Sequence, residues 1–133
     1  MWVKGPAIEV SFNCRRGLAI DRLLYPQLDQ RWWVGTIHHG FFDDISKGFD
    51  YYSGHMVFEA PQQPKVTDLE PMEPVCEQYG DLVRLTGTLR TPLGVIAKRI
   101  QVGLVTAKID IEYTLDWQGV PLGSLRLGYL TAN

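Results

Sequence analysis

The chain has 133 residues, 45% hydrophobic and 21% charged, enough for one packed domain and outside the composition of a disordered segment. Thirteen basic against fifteen acidic side chains leave a formal net charge of −2. With the basic residues dispersed, that balance excludes the electrostatic footprint of a nucleic-acid or anionic-membrane binder.

Read in chain order, Ala7–Phe12 alternates with period two and Gly17–Tyr25 follows, which predicts a hairpin with Arg15-Arg16 in its turn. Pro26 ends that second strand, and Gln27–Arg31 is a loop. Trp33–His39 is expected as a short strand, and Tyr51–Ala60 as a strand interrupted by Ser53-Gly54. Four prolines between Pro61 and Pro74 make an extended loop with room for one edge strand. Leu82–Arg90, Val95–Val102 and Lys108–Trp117 read as successive antiparallel strands, the first two joined by a turn at Thr91-Pro92-Leu93-Gly94. In the third, Ile109, Ile111, Tyr113, Leu115 and Trp117 share one face and Asp110, Glu112, Thr114 and Asp116 the other. Ser124–Thr131 is the last expected strand. No window sustains a helical period, so residues 1–133 are read as a single all-β domain, an antiparallel β-sandwich.

Cys14 and Cys76 have no zinc-ligand spacing, MWVKGPAIEVSF lacks a signal-peptide core, and no run approaches the ~20 apolar residues of a membrane span. The expectation is a cytoplasmic chain with reduced thiols and no membrane partner.

Function concentrates between Trp32 and Glu59, which carries all three histidines, His38, His39 and His55, with aromatic rings and short acids around them. Aromatic faces stack on the apolar side of a pyranose, and fixed acceptors and donors take its hydroxyls. Trp33, His39, Asp43, Asp44, Tyr52, His55 and Arg126 are the candidate sugar-binding residues. Each also has a plain role. One of Trp32 and Trp33 packs in the core, one of His38 and His39 is a satisfied buried histidine, Asp43 and Asp44 cap a turn, Tyr51, Tyr52 and His55 pack in the core with one tyrosine exposed, and Arg126 pairs with Glu112 or Asp110. His38, His39 or His55 with Glu59 or Asp44 would supply a base and an acid if the chain were catalytic. The types of His38, His39, Asp43, Asp44, Asp50 and His55 suit a metal, but no ligand spacing orders them, so no metal and no cofactor is expected.

The order of motifs carries a resemblance. IEVSFNCRRGLAIDRLLY, GTIHHGFFDD, FDYYSGHMVFE, KVTDLEP, TLRTPLGVIAKRIQV and IEYTLDWQGVPLGSLRLGYLT together resemble the β-rich domain of bacterial proteins related to family-57 glycoside hydrolases and α-glucan transferases. That domain is similar to the galactose-mutarotase-like supersandwich, and the chain is shorter than such sandwiches, so the resemblance implies a portion of that fold. It implies a carbohydrate-binding or accessory domain in α-glucan or glycoside processing. A mutarotase- or epimerase-type enzyme is the alternative, and a ligand-free structural or oligomerisation module is a second one. The abrupt final strand and the outward Trp2 and Trp32 add the expectation of a homo-oligomer, or of a partner domain covering an open strand edge.

Overall fold

The computed structural model describes residues 1–35 and 52–132. Its described residues hold eleven strands and no helix, arranged in three antiparallel sheets consistent with a β-sandwich. The first sheet has the order β1-β2-β3-β4, formed by Trp2–Lys4, Glu9–Asn13, Ala19–Leu24 and Val34–Gly35. The second has the order β10-β9-β8-β7, formed by Lys108–Trp117, Gly94–Gly103, Leu82–Thr91 and Val75–Tyr79. The third has the order β11-β5-β6, formed by Ser124–Leu127, Met56–Glu59 and Val66–Thr67.

Register explains the packing of the first two sheets. Val3, Val10, Leu23 and Val34 are cross-strand neighbours, so one inward row crosses all four strands of the first sheet. It meets Val83, Leu85, Ile100 and Val102 of β8 and β9 in the main core, with Ile8, Phe12, Leu18 and Ile20 filling the space between. Each such side chain taken fully out of water contributes about 1.5–3 kcal/mol, so this row is the chief reason the two sheets stay together.

The third sheet uses both faces. Met56 and Phe58 pack with Ile96 against Tyr113, Leu115 and Trp117 of β10. Val57, pointing the opposite way, packs with Ala19 and Leu69. Just before β5, the Ser53 carbonyl accepts from the Ile20 N–H, and the Ser53 hydroxyl accepts from the Thr131 N–H at 2.8 Å. The segment therefore stitches the third sheet to β3 and to the C-terminal residues.

The hairpin of β2 and β3 and the β8–β9–β10 meander follow the expected pattern; the Lys108–Trp117 strand has the expected bounds. β6 is the short strand inside the proline-rich loop. β1 and β7 were not foreseen, and β7 is exposed along its length with no alternation of burial to reveal it. The last strand is shorter than expected. It ends at Leu127 because Gly128 turns at φ 67°, and the chain continues to a single bridge between Val34 and Ala132. Trp33 precedes β4, and the rest of the Trp33–His39 strand beyond Gly35 lies outside the described residues.

Candidate functional site

His38, His39, Asp43, Asp44 and Asp50 lie outside the described residues. Of those described, His55 and Arg126 both lie against the Tyr129 ring, each 5.6 Å from its centroid. No hydrogen bond, ion pair or ring contact joins Trp33, Tyr52 and Arg126 to one another. Tyr52 packs half-buried on the Ala19–Val57–Leu69 cluster with the Arg16 guanidinium 5.8 Å from its ring. His55 is 1% exposed and tilts against Tyr129 at 5.6 Å between ring centroids. His55 is packed inside the fold, its ring against Tyr129.

Arg126 does not pair with Glu112 or Asp110. β11 leaves the meander and pairs with β5, so the acid within reach is Glu59, at 2.9 Å. Glu112 is taken by Arg99 and Asp110 by Lys108. Lys65 contacts the same Glu59 oxygen at 2.6 Å. The hydrogen bond from Lys65, with the charges of Lys65 and Arg126 behind it, holds the Glu59 carboxyl below the usual carboxylate range despite a smaller opposing effect of desolvation. Glu59 is thus an ionised, doubly paired acid. It also lies about 13 Å along extended chain from His55.

The exposed aromatic surface lies elsewhere, on the outer face of the first sheet. Trp2, Ser11, Arg22 and Gly35 are successive cross-strand neighbours and form the row that faces away from the core. Trp32, entering from the loop before β4, lays its ring 5.8 Å from Trp2 and 5.5 Å from the Arg22 guanidinium. The small Ser11 between them is buried under this cover. The Lys4 ammonium sits 5.1 Å from the Trp2 ring and 3.4 Å from Glu9. Trp33 is 46% exposed and Trp32 half-buried outside the core clusters, so neither is the core residue expected of the pair, and Trp2 beside them is 47% exposed. The arrangement is an exposed pair of indoles with a cation over each ring, and Glu9 as the nearby acceptor.

A second constellation lies inside the molecule and no sequence feature in the central stretch announced it. Lys98 occupies an inward position of β9 between Ile96 and Ile100 and is fully buried. Its ammonium donates to the Gly17 carbonyl (2.7 Å), the Gly54 carbonyl (2.6 Å) and Asp68 Oδ2 (2.8 Å), using all three of its protons. Asp68 Oδ1 accepts from the Met56 N–H at 2.9 Å, and the Tyr113 hydroxyl donates to the Gly54 carbonyl at 2.9 Å. Burial lowers the Lys98 pKa, with Asp68 acting against it. Burial, and then the Asp68 charge, drive the Tyr113 phenol far above its ordinary value. Every group here is bonded to the fold, so the constellation holds structure together and leaves no proton donor or acceptor for a substrate. The signal was present: a lysine in the apolar phase of an otherwise regular strand requires a buried anion nearby.

Among the described residues no three His, Cys, Asp or Glu side chains are grouped to hold a metal, and no helix is long and apolar enough to cross a membrane. Protein-family models, curated proteins and solved structures yield no match to this chain.

Proposed function

We propose that this chain is a carbohydrate-recognising β-sandwich module, non-catalytic by itself, that serves an α-glucan- or glycoside-processing system. The observation that carries the reading is the outer face of β1–β4, where Trp2 and Trp32 are tilted together with Lys4 and Arg22 over their rings and Trp33 half-exposed alongside in sequence. Indole faces supply stacking area, and the cations and Glu9 supply donors and an acceptor for hydroxyls. The motif resemblance to the β-rich domain of family-57-related proteins points to the same ligand class. The binding residues proposed are therefore Trp2, Trp32 and Trp33 with Arg22, while Tyr52 and His55 act in packing.

The separation of His55 from an ion-paired Glu59 favours recognition over mutarotase- or epimerase-type catalysis. A structural module is the second reading, favoured by the complete internal pairing of Lys98 and Asp68 and by the exposed leucines of β11. Titration of intrinsic tryptophan fluorescence with maltooligosaccharides, glucose and galactose separates the two, because three of the four tryptophans belong to the proposed surface. A saturable response supports recognition. A flat response with every sugar leaves the structural module.

A further inference from the structure

We propose that two copies of this chain associate through β10, edge to edge and antiparallel, in a twofold dimer with Glu112 at the axis. β10 is ten residues long and, among the described residues, ends its sheet with β9 on one side. The Gln118 N–H donates to the Leu93 carbonyl at 3.0 Å, one step beyond the Trp117–Gly94 pair. That phase makes the even-numbered residues of β10 the ones bonded to β9, so the backbone groups of Ile109, Ile111, Tyr113 and Leu115 point to the edge. An edge of this length with neither proline nor bulge is a template for a further strand.

The third sheet shows where that strand would go. Leu125 and Leu127 lie opposite Phe58 and Met56 in the β11–β5 register, and opposed residues project to the same face. Phe58 and Met56 are buried against Ile96 and the inward side chains of β10. Leu125 and Leu127 face the same way, yet are 42% and 52% exposed. Phe58 packs edge-on against Trp117, and the Tyr113 hydroxyl bonds Gly54, so β5 runs over the C-terminal half of β10 and β11 overhangs its edge. One more strand beside β10 would lie under both leucines.

The sequence of β10 fits a copy of itself in that place. With Glu112 on the axis, Ile109 faces Leu115 and Ile111 faces Tyr113 on the inner side. On the outer side Lys108 faces Asp116 at both ends and Asp110 faces Thr114. Centring on Asp110 pairs only Lys108 through Glu112 of the strand, and the other neighbouring registers are worse in charge. Centring on Ile111 opposes Asp110 to Glu112, centring on Tyr113 opposes Asp110 to Asp116, and centring on Thr114 opposes Glu112 to Asp116, each twice. In the favoured register the single like-charge meeting is Glu112 with its own copy, and each Glu112 is already paired with Arg99. Leu125 and Leu127 of one copy then cover Ile109 and Ile111 of the other, where each chain alone leaves those positions half-buried.

The test is sedimentation of the full chain over the micromolar range, together with site-directed cross-linking. The chain is expected to dimerise. Lys108→Glu should weaken the dimer about tenfold and Lys108→Glu with Asp116→Lys should restore it, since the charges face each other only across the axis. Leu125→Ser with Leu127→Ser should weaken it further. With the exposed Cys76 changed to Ser, Glu112→Cys should form an intermolecular disulfide, because axial residues of a non-bonded pair stand about 4.5 Å apart, within the disulfide range. Thr114→Cys should not, as its copy lies about 13 Å away. A monomer throughout the range overturns the proposal. So does a dimer indifferent to Lys108→Glu and to the leucine changes, or cross-linking of Thr114→Cys in preference to Glu112→Cys.

Discussion

Lys98 of β9 and Asp68, one residue past β6, meet at 2.8 Å with both side chains wholly removed from solvent. Through the Gly17 and Gly54 carbonyls the same ammonium reaches the β2–β3 turn and the chain entering β5, so one cation ties together all three sheets. A buried pair of this kind adds little over an apolar replacement of similar shape, but removing one partner strands the other. Lys98→Met leaves a buried carboxylate and a Gly17 carbonyl without its donor, the Gly54 carbonyl keeping the Tyr113 hydroxyl, and Asp68→Asn leaves an uncompensated ammonium. Each is expected to cost about 3–5 kcal/mol in urea unfolding. Their double replacement should cost less than the sum of the two. Additive losses would show that the ion pair does not couple the sheets.

Gly17 is the backbone counterpart of that clamp. It sits at φ +60° with its N–H bonded to the Glu70 carbonyl, and a Cβ there would stand 1.8 Å from the Asp68 carbonyl oxygen. Gly80, in the β7–β8 turn, has nearly the same φ, +57°, but nothing within 4 Å of a Cβ. The two positions separate conformational strain from steric exclusion. Gly80→Ala is expected to cost about 1–2 kcal/mol, the left-handed penalty alone. Gly17→Ala must also push apart the Asp68 backbone and is expected to cost about 3 kcal/mol or more. Equal losses in thermal or denaturant unfolding would refute the close approach.

Tyr113 gives the fold an alkaline limit. Its folded-state pKa is raised, chiefly by burial, above the ordinary 10.0 of the unfolded chain. The folded protein therefore keeps the phenol proton where the unfolded chain has lost it. The contribution is fully present below pH 10.0 and is lost progressively as pH rises beyond it. Lys98 has the opposite sign: its pKa is lowered from 10.5, so its own contribution rises with pH in the window below that value. Comparing the wild type with Tyr113→Phe isolates the phenol. The variant should lose about 1 kcal/mol at neutral pH, from the hydrogen bond to Gly54, and should fall less steeply above pH 10. Ultraviolet difference spectra should show no tyrosinate from Tyr113 until the chain unfolds.

How much of this could be read beforehand depends on what each segment does. The β8–β9–β10 meander was legible because one face packs and the other is wet, which prints a period of two into the sequence. β11 was legible as a strand but not in its partner, since alternation says which face is buried and not which strand lies alongside. The error over Arg126 and Glu112 came from that gap. β1 was missed because three residues carry too little pattern, although Val3 between Trp2 and Lys4 sits in the inward row of the first sheet. The Lys98–Asp68 contact joins residues thirty positions apart, one of them in a proline-rich loop, and only tertiary packing brings them together. Proximity in sequence gathered Trp33, Tyr52 and His55, whereas strand register gathers Trp2, Arg22 and Trp32.

That register decides the binding experiment. If the outer face of β1–β4 takes an α-glucan, one or two indole stacks and a few hydroxyl contacts, each offset by lost water, give a dissociation constant on the order of 0.1–1 mM. Trp2→Ala removes an exposed ring and uncovers Trp32, and Trp33→Ala removes the neighbouring half-exposed ring. Each should weaken binding about tenfold or abolish it, while leaving the β-type circular dichroism spectrum unchanged. Arg22→Gln should lower affinity less, since its guanidinium lies over the Trp32 ring and supplies donors, not the indole face itself. Tyr52→Phe should bind normally, because Tyr52 packs on Ala19, Val57 and Leu69 and the ring is retained. Asp81→Asn, in the β7–β8 turn on the other sheet, is the control and should also bind normally. Fluorescence titration with maltooligosaccharides, glucose and galactose reads all five proteins against the wild type. Loss of binding in Tyr52→Phe with retention in Trp2→Ala would move the site off the β1–β4 face altogether.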